Sequence, residues 1–321
     1  MGSQILRRFT IIVESAHLLI NNLSSIEELI SKKLDKQSGI STSKKGILKK
    51  LKEVLATEVE ILLKKNQMFT PPFDPFRIKE LGNAKIIVEY AHRNDIGADG
   101  CLQATDEGFL IKIDQELTEK SRHRHRLRST MAHELMHTFF YDISRLPPAK
   151  LGQSRLSREQ FLIEEELCYY LAREFLVPTF SILDLLSEDR SIRFPSLKNI
   201  DLLKTRFIVS SDIVAYRMIA DLSVWNAIFI KFIQEGTMFR SKTKLKNKSN
   251  RLYRKTKIPD YVPQSDPSDK WLRLLSDNVA NAREKERFEE LIVLNGHRIA
   301  LESKIETGDP VCIITIAYEE N

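Results

Sequence analysis

Ser129-Thr130-Met131-Ala132-His133-Glu134-Leu135-Met136-His137-Thr138-Phe139-Phe140 is the stretch whose reading decides the rest of the chain. The periodicity predicts a helix from just after Asp114 through about Tyr141. At 3.6 residues per turn, His133 and His137 share one helix face, so both imidazoles can reach one metal ion about 2.1 Å from each nitrogen. Glu134 lies beside that face. It can take a proton from a metal-bound water rather than bind the metal, which is the general-base role in an HExxH motif. On an exposed helix the same pentapeptide would be only a polar face. The small and apolar flanks argue instead for a helix beneath a cleft, with polar groups placed inside it.

A catalytic zinc site needs three protein ligands and one open position. The next helix, expected from about Arg158 to Val177 and ended by Pro178, supplies Glu164-Glu165-Glu166-Leu167-Cys168. Glu165 is three residues before Cys168 and seven before Ala172, so it shares their core-facing side and is the expected third ligand. Glu164 and Glu166 read as a solvated acidic first turn, favoured there by the helix dipole. Cys168 reads as a small buried hydrophobe.

These residues resemble the ImmA/IrrE-type zinc metallopeptidases. The likeness is carried by Arg122, Arg124, Arg126 and Arg128 leading into Ala132-His133-Glu134-Leu135-Met136-His137, then by Glu165, Cys168, Ala172, Leu176 and Pro178. Pro71-Pro72-Phe73-Asp74-Pro75 and the strand Gly108 to Ile113 look like that family's entry, so the likeness spans about residues 70 to 222. The chain departs from the pattern at Met136, Tyr169 and Leu171, where the family usually has glycine, often asparagine, and phenylalanine. The resemblance implies cleavage of a protein partner, a helix-turn-helix DNA-binding repressor, with derepression of its genes. On this reading Gly108 to Ile113 would be an edge strand pairing with an extended substrate. Tyr141 and His125 would be the candidate oxyanion donors.

The fold class expected is α+β: a zincin-like core of small sheet plus active-site helices at 70–180, a helical N-terminal extension at 1–69, a helix-turn-helix-like segment at 181–222 and a basic, β-rich unit at 223–321. In the extension, Ile26, Ile30 and Leu34, then Leu48, Leu51, Leu55 and Val59, recur at helical spacing around a polar breaker at Gln37 to Lys45. Strands are expected at Lys85 to Tyr90, Gly108 to Ile113, Ile228 to Ile230, Glu290 to Leu294 and Val311 to Ile316.

Lys and Arg exceed Asp and Glu by 50 to 44, which permits contact with nucleic acid without demanding it. Arg240 to Lys257 holds nine basic and no acidic residues, with Tyr253 as a stacking group. Like-charge repulsion favours a solvated loop there over a phosphate-binding segment. Cys101, Cys168 and Cys312 form no CxxC pair, and neither a secretory leader nor a membrane-spanning stretch is evident, so a reducing cytoplasm is expected. The competing class is a DNA- or protein-binding regulator with a vestigial zinc site. The intact Glu134 speaks against it, since a relic has no need of a base.

Overall fold

The computed structural model describes residues 44–119, 124–151, 158–235, 238–247, 258, 260–262, 277, 279–282, 287–294, 297–306 and 312–319. Within them the chain is mixed α and β, and it divides between Pro178 and Thr179 into two compact units. Among the described residues no helix is long and apolar enough to cross a membrane. Of the expected N-terminal extension, residues 1–43 lie outside the described ones, as do Arg122 and residues 248–257 of the basic segment.

In the first unit, α1 (Lys44–Lys65) buries Leu51, Leu55, Val59 and Leu62, the stripe its periodicity demands. A four-stranded sheet follows, made of β1 (Glu80–Leu81), β2 (Ala84–Ala91), β3 (Gly100–Thr105) and β4 (Gly108–Asp114) in the order β1-β2-β4-β3. A one-turn helix, α2 (Arg93–Ile96), connects β2 to β3.

The strand expected at the edge is therefore central. β4 pairs in parallel with β2, from Lys85 opposite Gly108 to Ala91 opposite Asp114, and antiparallel with β3 on its other side. The cause is local. β3 and β4 form a tight hairpin, and Gly108 (φ 144°) passes so close to β2 that a Cβ would lie 2.3 Å from the Lys85 carbonyl oxygen. That approach docks β4 onto β2 and leaves β3 outermost. Phe109, Ile111 and Ile113 alternate onto the buried face.

After α3 (Glu116–Glu119), the helix α4 (Arg124–His137) packs beneath β3 and β4. It stops at His137, short of the expected Tyr141, because Thr138–Phe140 tighten into a 3₁₀ turn whose Thr138 hydroxyl donates back to the Leu135 carbonyl at 2.6 Å. Arg128 Nη2 donates to the Phe73 carbonyl at 2.7 Å, tying α4 to the proline-rich entrance. A small hairpin, β5 (Tyr141–Asp142) with β6 (Ala149–Lys150), leads on to α5 (Arg158–Leu176), which lies against α4 and α1.

The second unit opens with α6 (Thr179–Glu188), α7 (Leu197–Phe207) and α8 (Ser211–Ala215), which runs into a π-helical turn at Tyr216–Asp221. Ser196 and Ser210 cap α7 and α8 by accepting from Asn199 and Ile213 N–H groups. Six antiparallel strands complete it: β7 (Ala227–Glu235), β8 (Met238–Lys246), β9 (Tyr261–Val262), β10 (Arg287–Leu294), β11 (His297–Glu306) and β12 (Cys312–Glu319), in the order β10-β11-β12-β7-β8-β9.

The helices of 181–222 and the sheet share this one unit. Glu302 accepts from the Leu197 N–H at 2.9 Å at the start of α7. Glu306 accepts from Lys204 at 2.7 Å and Ser211 at 3.0 Å, and Asp212 accepts from Lys231 at 2.8 Å and Thr243 at 2.5 Å. The basic stretch from Arg240 to Lys246 is strand rather than loop, because β7 supplies its ladder partners. Lys242 is an extra residue in that ladder. Arg240 stands opposite Ile233 and Lys244 opposite Ile230, so the bulge sends the two side chains to opposite faces.

Candidate metal centre

Two faces of α4 build the site. On one, Arg126, Thr130 and Glu134 recur every four residues beneath β3. Arg126 holds Asp99, just before β3, through two bonds of 2.6 Å. A Cβ on Gly100 would lie 2.7 Å from Thr130 Cγ2 and 3.0 Å from Glu134 Cγ, so the strand can touch the helix there only as glycine. On the other face, His133 and His137 turn toward α5 and meet Glu165.

The three ligand atoms converge. His133 Nε2 and His137 Nε2 are 3.2 Å apart, and each lies 3.3 Å from a Glu165 oxygen. Tetrahedral ligands about 2.1 Å from a metal stand roughly 3.4 Å from one another, so the two histidine nitrogens have the spacing of two such ligands, and the Glu165 carboxylate spans them with Oε2 toward His133 and Oε1 toward His137. Together His133, His137 and Glu165 could hold a metal ion. The protonation pattern agrees. Glu164 Oε1 lies 2.9 Å from His137 Nδ1, and a carboxylate can only accept, so that nitrogen carries a proton and, in the neutral imidazole, Nε2 is the nitrogen left for a metal.

Glu164 is the residue that the sequence reading misplaced. It is buried at 2% exposure rather than solvated, and it also accepts from Lys150 on β6 at 3.0 Å. Burial works to raise its pKa, but the bonds from His137 and Lys150 outweigh that and hold it below the ordinary range. Glu166 is exposed and pairs with Lys52 on α1 at 2.6 Å, as expected of a surface acid.

Hydrogen bonds from His133 and His137 pull Glu165 well below the usual carboxylate range. Burial opposes the charging of His137, yet Cys168, Glu164 and Glu165 together push its pKa upward. Glu134 is 8% exposed, and desolvation pushes its pKa up despite the two histidines. Cys168 is fully buried, and burial first of all raises its thiol to about 11, which keeps it protonated and unreactive.

The two oxyanion candidates do not join the ligand group. His125 is eight residues before His133, about 12 Å along the helix. The Tyr141 ring packs edge-on against Phe109 at 5.2 Å with the Lys150 ammonium 5.9 Å from its centroid. Met136 and Leu171, which depart from the resembled pattern, are both wholly buried. No family model matches the chain, and no curated protein matches it, so the chemistry of the site rests on its own residues.

Proposed function

We propose that the protein is a zinc-dependent endopeptidase of the ImmA/IrrE type with a zincin-like core, acting in the cytoplasm on a helix-turn-helix DNA-binding repressor. The observation that carries the reading is the convergence of His133, His137 and Glu165 at 3.2 to 3.3 Å, with the buried Glu134 beside them. Zinc bound there would acidify a water and polarise a scissile carbonyl.

The chain's own groups have distinct parts. Glu164 and Lys150 orient His137. Glu134 accepts the proton of the attacking water and delivers it to the leaving amine. Its raised pKa makes it a better match to neutral pH than an ordinary glutamate. Among the described residues β3 is paired on one side only, by β4, so it rather than β4 offers backbone donors and acceptors to an extended peptide. The repressor as substrate is supported by the motif resemblance alone.

The test is cleavage of candidate repressors by zinc-loaded wild type and Glu134→Gln. The variant should keep its zinc and lose at least about 100-fold in rate, the lower end for a general base. Equal cleavage by the two would overturn the mechanism. Full zinc with no cleavage of any candidate would favour the binding regulator with a structural site.

A further inference from the structure

The two histidines of the site are held by different means. His137 is fixed through Nδ1 by Glu164, which Lys150 fixes in turn. His133 has no such anchor, for its Nδ1 is buried and, among the described residues, meets no hydrogen-bond partner. What faces the His133 ring is Tyr169, whose centroid lies 4.3 Å away with the planes tilted by 38°. The His137 ring lies 4.9 Å from that of His133 with the planes 85° apart, so the two imidazoles do not stack.

Tyr169 stands one helical turn after Glu165 on α5, which brings a ligand and the ring beside another ligand onto one stripe. It is 56% exposed, so it adds little to the core of the unit, while its ring packs on His133. A metal-ligating histidine ordinarily has its outer nitrogen bonded to a carboxylate or carbonyl, which sets the tautomer and the ring plane. With that bond missing, the ring plane needs another restraint.

We propose that Tyr169 is the positioning residue for His133, its ring fixing by stacking the plane that Glu164 fixes for His137 by hydrogen bonding. The inference rests on the metal-site reading above. It assigns the role to the ring and not to the hydroxyl, so phenylalanine serves as well as tyrosine, whereas alanine lets His133 turn and loosens the site.

The experiment measures zinc and cobalt affinity of the full chain by competition with a chromophoric chelator, for wild type, Tyr169→Phe and Tyr169→Ala. The visible spectrum of the cobalt forms and thermal melts of the metal-free forms are recorded alongside. Tyr169→Phe should match wild type. Tyr169→Ala should bind about tenfold more weakly, at the lower end of what outer-shell losses cost. It should also give altered cobalt bands, with an unchanged metal-free melt because the side chain is exposed. Wild-type affinity in Tyr169→Ala would overturn this inference alone, as would an equal loss in Tyr169→Phe, which would move the role to the hydroxyl. A wild type that binds neither metal would overturn the metal reading itself.

Discussion

Glu164 and Glu165 are neighbours on α5 with separate parts, one bonded to the outer nitrogen of His137 and the other facing the inner nitrogens of both histidines. The raised His137 and lowered Glu165 pKa values give the metal-free protein a pH signature. A raised histidine stabilises the fold fully below its unfolded value near 6.5, and loses that contribution as pH climbs through the folded value. A depressed carboxylate stabilises fully above its unfolded value near 4.3, and loses it as pH falls. The two contributions overlap between about pH 4.3 and 6.5. Thermal melts in chelator should therefore show the largest gap between wild type and Glu165→Gln inside that window, shrinking on both sides. A gap that grows steadily above pH 7 would contradict the coupling. His133, His137 and Glu165 were legible because helical spacing alone fixes which side chains share a face. Glu164 was not, because an acid near the start of a helix is solvated or buried according to what stands opposite, and Lys150 comes from a hairpin that local pattern does not place.

At the scale of elements, the site depends on β3 lying close over α4. Gly100→Ala would drive a methyl group into Thr130 Cγ2 at 2.7 Å and Glu134 Cγ at 3.0 Å. The expected cost is about 1 to 3 kcal/mol of stability in urea unfolding, the usual range for overpacking, with metal affinity retained because the ligands sit on the other face of α4. Adding Thr130→Ser, which removes the nearer atom, should recover part of the loss. A stable Gly100→Ala protein would show that the strand is free to lift. Hydrophobic runs revealed β2, β4, β7, β10 and β12 with ends shifted by a few residues. β3, β8 and β11 escaped because their exposed sides are polar or charged. β11 reads as mixed sequence: Ile299, Leu301 and Ser303 are buried on one face, and Glu302 between them is buried on the other.

For the whole molecule, the two compact units carry different chemistry. The second is held by polar bonds from Glu302, Glu306 and Asp212 between its helices and its sheet, contacts between residues far apart in the chain that no local pattern announces. The ligand group lies entirely in the first unit, so zinc should slow amide hydrogen exchange across α4 and α5 and leave β7 and β12 unchanged. Slowed exchange in the second unit alone would place the metal elsewhere. The most direct measurement is zinc content by elemental analysis of purified wild type and Glu165→Gln. Close to one zinc per chain is expected in the wild type and a sharp fall in the variant, whose amide is a poor ligand between two imidazoles. Zinc absent from both, or retained in full by Glu165→Gln, would contradict the ligand set.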